Sequence, residues 1–171
     1  MTTQKVFRWF WAWDDEKEEA WLRSMAQQGW HLQAVTFPGR YHFEQDTPRD
    51  DVYRLDFFTE HRDKAAYLQL FHDAGWEHVE EYGSWEYFRK EAVNGEAPEI
   101  FTDPESKIKK YQRLLLVLAA TFPIWSITIN RLNEREGLFF QAIAFMGFLL
   151  ILFYIYVIMM LLRRINQLRH L

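Results

Sequence analysis

The chain of 171 residues contains no cysteine. That absence rules out a disulfide framework, a thiolate metal site and a thiol nucleophile, and it fits a reducing compartment. Grouped basic residues are scarce too: residues 1–110 hold 14 Lys and Arg against 22 Asp and Glu, a net −8, whereas 111–171 hold 6 against 2, a net +4. Nucleic-acid affinity rests on neutralising phosphates with clustered Lys and Arg, so the acidic part is not expected to bind DNA. There is no phosphate-cradling glycine loop and no Gly-x-Ser-x-Gly elbow. No two histidines have ligand spacing on one helix face; His72 and His78 are six apart across a glycine, and no metal or other cofactor is expected. The start, Met1-Thr2-Thr3-Gln4-Lys5, runs straight into aromatic residues and shows none of the zones of a signal peptide. An enzyme is not expected, because it would need a closed pocket holding a strongly perturbed acid or base.

What the chain does contain is a repeat. Gly29-Trp30 returns 46 residues later as Gly75-Trp76, and the same offset relates Val6-Phe7-Arg8 to Val52-Tyr53-Arg54 and Ala20-Trp21-Leu22 to Ala66-Tyr67-Leu68. A fixed period signals one supersecondary unit used twice. In the first copy, residues 5–45, Val6 to Trp13 has the aromatic and branched composition of a strand, with Phe7, Trp9, Trp11 and Trp13 on one face. Asp14 or Asp15 offers an N-cap. Glu16, Glu18 and Glu19 suit the positive end of the helix dipole, which accounts for them better than a catalytic carboxylate pair does. Trp21, Leu22 and Met25, flanked by Glu18, form an apolar stripe, and Gly29 ends the helix. His31–Phe37, a Pro38-Gly39 turn and Arg40–Gln45 complete the unit as two strands.

The second copy, 51–90, repeats that order: strand Val52–Phe58, helix Glu60 to Ala74, strands Glu77–Tyr82 and Trp85–Lys90. The expected fold is α+β, an antiparallel sheet built from a duplicated strand-helix-strand-strand unit with two helices on one face. The far face would then lie open unless something docks there. Arg8 and Arg54 occupy matching positions, and Arg8, Phe10, Arg54, Asp56, Tyr41, Phe43, Trp85 and Tyr87 are the candidate ligand-binding residues of that face. Aromatics beside a few fixed charges are what small-molecule pockets contain. The competing reading is that both arginines pair with neighbouring carboxylates such as Asp56 on a solvated surface, and that the aromatics are core.

Several segments together resemble domain-of-unknown-function family 2812: the aromatic first strand, Glu16–Leu22 with Met25, Gln28-Gly29-Trp30-His31-Leu32, Gly39-Arg40-Tyr41-His42-Phe43, Tyr53–Phe57, Gly75-Trp76 and Phe101–Ile108. The likeness spans roughly residues 5–111. It implies a bacterial protein with membrane helices after the domain, often encoded near PadR-type transcription regulators, and hence a regulatory role without catalytic residues to carry over. By topology the duplicated unit is also similar to gyrase-inhibitor-like ligand-binding domains, some of which hold lipophilic cations between aromatics and an acid. That is an analogy of architecture, and fold does not imply function.

Residues 1–92 thus form the duplicated domain, and 93–110 a linker and helix start, with Thr102 or Asp103 preceding Pro104. Within 111–171, two apolar segments, about 112–130 and 138–162, are long enough to cross a bilayer. Lys107, Lys109, Lys110 and Arg113 flank the first, and Arg163, Arg164 and Arg169 follow the second. Only Arg131 and Arg135 lie between, which places both termini in the cytoplasm at the inner (plasma) membrane. A buried helical hairpin in a soluble protein is the other reading of this stretch.

The expected function is a membrane-anchored cytoplasmic module that binds an apolar or cationic small molecule or a partner protein and reports its presence. The alternative is a structural accessory subunit of a transporter, or a membrane tether for a transcription regulator.

Overall fold

The computed structural model describes residues 2–59, 63–93, 97–100, 104–133 and 137–170, without the side chains of residues 104, 125, 132 and 133. The expected N-cap at Thr102 or Asp103 and the loop residue Arg135 lie outside the described residues. The chain divides into two compact units, Met1–Ser106 and Lys107–Leu171.

The first unit runs β1 (Thr3–Phe7), α1 (Asp15–Gln27), β2 (Trp30–Thr36), β3 (Arg40–Gln45), β4 (Asp51–Phe57), α2 (Lys64–Asp73), β5 (Glu77–Tyr82) and β6 (Trp85–Glu91). The strand-helix-strand-strand order therefore occurs twice. Each set forms its own three-stranded antiparallel sheet, β1-β3-β2 and β4-β6-β5, in place of one continuous sheet. A register break between Leu32 and Ala34 in β2 recurs between His78 and Glu80 in β5, 46 residues on.

Both Gly-Trp corners are helix ends. Gly29 and Gly75 take φ of +84° and +79°, which side chains resist, and Trp76 N closes a six-residue ring onto Phe71 O. At Gly29 space is also lacking: a Cβ would lie 2.6 Å from Asp46 O.

The helices do not share one face. Side chains alternate along β4, so Tyr53 and Leu55 point one way and Val52 the other. Tyr53 and Leu55 pack with Leu22 and Ala26 of α1, and with Leu32, Val35, Tyr41 and Phe43 of the first sheet. Val52 packs with Phe71 of α2, Trp76 and Phe88. The second sheet is thus covered by α1 on one face and α2 on the other. The physical reason is that β4 presents Tyr53, Leu55 and Phe57 on one face and Val52 with the buried Asp56 on the other, and every residue except Arg54 is buried, so both faces are covered. The open face belongs instead to the first sheet. Phe7 opposite Arg40, and Lys5 opposite His42, point away from Val6 and Tyr41 on the core side.

The first strand is shorter than expected, ending at Phe7. β3 begins at Arg40, so beyond the bond from Arg8 N to Gly39 O (3.0 Å) no partner backbone remains, and the chain turns at Trp11–Asp14. The matching bond in the second copy is Phe58 N to Ser84 O, 2.8 Å. Arg8 therefore corresponds in the ladder to Phe58, 50 residues on, and not to Arg54. The second copy has a helix of 10 residues against 13, and the 46-residue offset relates β2 to β5 but neither the first strands nor β3 to β6, where Arg40 matches Trp85, 45 on.

In the second unit, α3 (Pro104–Asn133) and α4 (Leu138–Arg169) form an antiparallel hairpin. Arg164 Nε lies 3.4 Å from Tyr111 OH, Tyr154 OH donates to Leu118 O, and Gly147 packs against Ile129 so tightly that a Cβ would come within 2.7 Å of it. Both helices are long and apolar enough to cross a membrane by length and composition.

Candidate functional site

Where β1 ends, the chain crosses over α1 and encloses a cavity of about 220 Å³. Arg8, Phe10, Tyr41, Trp85 and Tyr87, five of the eight residues expected from sequence, line it together with Trp9, Trp11, Tyr82, Asp15 and Glu18. The first sheet supplies Tyr41, the second supplies Trp85 and Tyr87, and α1 supplies both acids. The acids reach the cavity because they lie on the inward face of α1: Asp15 is 2% exposed and Glu18 6%.

Glu18 is the centre of the site. Tyr41 OH and Tyr87 OH both donate to its Oε1 at 2.7 Å, so one carboxylate ties the two sheets together through two hydroxyls. Above them the aromatic rings interlock. Trp21 meets Tyr41 edge-on at 4.8 Å, Phe10 lies 5.6 Å from Trp21, and Arg8 sits over the faces of Phe10 (5.2 Å) and Trp21 (4.9 Å). At the mouth Trp9 meets Trp11 edge-on at 5.6 Å, and Trp11 stacks on Trp13 at 5.3 Å.

The remaining three candidates lie elsewhere. Phe43 is core beneath Trp21, 1% exposed. Arg54 bonds to Glu19 (3.3 Å) and Glu99 (2.9 Å), a pairing with carboxylates other than the Asp56 expected. Asp56 is fully buried under α2, accepting from Tyr67 OH at 2.9 Å and from Phe57 N at 2.8 Å. The open-face grouping of all eight is therefore corrected: Asp56 is covered by α2 through Tyr67, and Arg54 is held at the edge of β4 by Glu19 of α1 and by Glu99.

The sequence matches the family described as "Protein of unknown function (DUF2812)" over residues 14–123. The chain belongs to this family. No curated protein and no solved structure matches it. The DUF2812 match includes Asp15, Glu18, Tyr41 and Tyr87 and continues into α3, while β1 and the aromatic segment 8–13 precede it.

In this DUF2812 chain, burial pushes the Glu18 carboxyl above its usual range, the charge of Asp15 adds to the rise, and the hydrogen bonds from Tyr87 and Tyr41 oppose it. The hydroxyls of Tyr41 and Tyr87 are pushed up, first by burial and then by the charge of Glu18, so both stay protonated and donate. A buried acid among aromatic rings can neutralise a cation that the rings hold by their faces. Among the described residues no group of three or more His, Cys, Asp or Glu could hold a metal. A larger hollow of about 800 Å³ between α3 and α4 is lined mainly by apolar side chains, with Arg131 its one ionisable group.

Sequence reasoning missed Glu18 and Asp15, having assigned Glu18 to the helix dipole and Asp15 to a possible N-cap. The available signal was helical phase: Glu18 falls three and four residues before Trp21 and Leu22, on the buried stripe. Glu19 was missed in the same way. Its Oε1 accepts from Leu55 N at 2.9 Å, and with Arg54 it occupies the outer edge of β4 that a further strand would otherwise take.

Proposed function

We propose that the cavity binds a small organic cation with an aromatic or apolar body, and that the protein is a membrane-anchored, non-catalytic module reporting its presence. The observation that carries this reading is Glu18, a carboxylate buried between two tyrosine hydroxyls at the base of an aromatic-walled cavity. Both hydroxyls converge on Oε1, which leaves the second oxygen to a guest. A cavity of 220 Å³ falls below the roughly 300–1,000 Å³ of pockets for drug-sized ligands. A quaternary ammonium headgroup fits inside, with an apolar body resting on Trp9 and Trp11 at the mouth.

Anchoring is supported by the two apolar helices, whose most apolar windows are only 6% and 11% buried, unlike the core helices of a soluble domain. The basic flanks at Lys107–Arg113 and Arg163–Arg169 favour a cytoplasmic first unit. A bound cation closes the cavity against both sheets at once, and that tightening is the signal a regulator or membrane partner would read.

The test is titration of the full chain in mild detergent with benzyltrimethylammonium, followed by tryptophan fluorescence, since Trp9, Trp11 and Trp85 line the site. Saturable quenching that Glu18→Gln weakens by roughly 30-fold, in a variant that still unfolds cooperatively, supports the reading. Absence of any response to a series of aromatic and aliphatic ammonium ions overturns it. A raised Glu18 is also what a general acid needs, so chemical turnover of a bound ligand would replace binding by catalysis.

A further inference from the structure

The end of the first unit that carries the cavity mouth exposes an unusual amount of aromatic surface. Phe37 is 81% exposed, Phe7 63%, Trp9 55% and Trp11 39%. The four lie at one end of the first sheet, at the close of β1 and the β2–β3 hairpin. Phe7 pairs with Arg40 across the β1–β3 ladder, and a Cβ on the neighbouring Gly39 would lie 3.9 Å from Trp9. Phe37 forms the hairpin tip beside Pro38, which lines the cavity with Trp9 and Trp11. Contiguous exposed apolar surface of this kind marks a docking face.

Its charge runs against that of the rest of the unit. Residues 1–110 carry net −8, yet Lys5, Arg8 and Arg40 border the patch, and His42 lies opposite Lys5. Of the acids on this side, Glu16 is exposed at the start of α1, and the others are paired, buried or distant. Asp14 binds Lys17 at 2.5 Å, Asp15 is buried, and Glu44 lies at the other end of the ladder opposite Thr3. Exposed Trp and Phe ringed by Lys and Arg is the composition that seats at the headgroup level of an anionic bilayer.

We propose that this aromatic and basic rim docks on the anionic lipid surface of the membrane that anchors the chain. The proposal rests on the membrane-anchored reading above. Tethering by α3 and α4 holds the unit at high effective concentration near lipid, so a rim of modest intrinsic affinity suffices. With the rim seated, the mouth between Trp9 and Trp11 faces the interfacial layer, and the cavity takes up amphiphilic cations that have partitioned there.

The absence of cysteine allows a clean test on the full chain. Single nitroxide labels are placed at Phe37→Cys in the rim, at Leu70→Cys on the outer side of α2 (66% exposed), and at Phe148→Cys on α4 (53% exposed). Each variant is reconstituted in nanodiscs of phosphatidylcholine with or without one-third phosphatidylglycerol, and collision with oxygen and with a water-soluble nickel chelate is measured. The proposal expects the Phe37 label to become several-fold less accessible to nickel and richer in oxygen contact only with the anionic lipid. The shift is lost in Lys5→Glu/Arg40→Glu, and the Leu70 label remains aqueous throughout.

If the Phe148 label is deep and the Phe37 label as aqueous as Leu70, this proposal falls and the anchor stands. If the Phe148 label is itself aqueous, both fall. Equal depth in the two lipids overturns the anionic-surface assignment. A Phe37 label already shielded from both reagents in detergent points to a protein contact and overturns docking on lipid.

Discussion

Removal of the Tyr87 hydroxyl gives the sharpest test of how Glu18 is held. Tyr87→Phe keeps the ring, 3% exposed and packed with Leu55 and Tyr53, and deletes only the 2.7 Å bond to Glu18 Oε1. A hydrogen bond to a charged, buried acceptor contributes about 1.5–3 kcal/mol. For a unit of about 100 residues, each 1 kcal/mol moves Tm by roughly 4–8 °C, so a fall of about 6–24 °C is expected in the melt of the first unit. The pH profile supplies a second readout. Burial already raises the folded-state carboxyl of Glu18 above its unfolded value near 4.5. The folded state therefore binds the proton more tightly, and the contribution of this group to stability is full below about pH 4.5 and is lost as pH rises through the higher folded value. Loss of the Tyr87 donor, one of the two influences holding that value down, extends the loss to higher pH. Glu18→Gln removes this pH dependence. The assay is thermal unfolding of the full chain in detergent between pH 4 and 9, followed by tryptophan fluorescence. A change in Tm below about 2 °C, with an unaltered pH profile, would refute the claim that Tyr87 holds Glu18.

Three other substitutions probe the scaffold. Glu19→Ala removes the side-chain acceptor of the buried Leu55 amide and a partner of Arg54, and is expected to cost about 2–4 kcal/mol, read as a fall in Tm together with faster hydrogen exchange at Leu55. Gly29→Ala meets both a φ of +84° and the Asp46 carbonyl 2.6 Å from its Cβ, and is expected to cost upward of about 1 kcal/mol by the same melt. Gly83→Ala has the same kind of φ (+66°) but open space, so the smaller fall of the pair belongs to it. Gly147→Val drives a branched side chain into Ile129, and a disulfide engineered between α3 and α4 should form more slowly in that variant than in the parent.

The sequence made the order of elements legible because glycine corners, strand composition and long apolar runs are local signals. Gly29 and Gly75 end their helices as their position after an apolar stripe predicts. The β2 and β5 irregularities even keep the 46-residue period. What it could not convey was how the copies pack. Whether α1 covers its own sheet alone or is shared with the second sheet depends on contacts such as Leu22 with Tyr53, which no periodicity encodes. The register of β1 was hidden for a related reason. Similarity of Val6-Phe7-Arg8 to Val52-Tyr53-Arg54 is real in the sequence, but the ladder is set by Gly39 and Ser84, four residues out of step.

Part of the candidate site was legible for the right reason: Tyr41, Tyr87, Trp85, Phe10 and Arg8 are aromatic or charged residues near strand ends, and those ends converge. Asp56 failed because α2 covers its face of β4, and Arg54 because Glu19 and Glu99 pair with it. Glu18 and Glu19 escaped notice because acidic residues in a first helical turn have a sufficient electrostatic explanation, and only the buried phase of α1 shows that they do more.

The central claim is that Glu18 gives the cavity its preference for a cation. Its most direct measurement is the Kd of benzyltrimethylammonium for the full chain and for Glu18→Gln, by titration calorimetry at one pH in the same detergent. Replacing a buried charged acceptor by a neutral one removes about 2 kcal/mol of attraction, so binding should weaken by roughly 30-fold, and wild-type affinity should itself rise with pH as Glu18 ionises. Equal Kd values for the two proteins, with no dependence on pH, would contradict it.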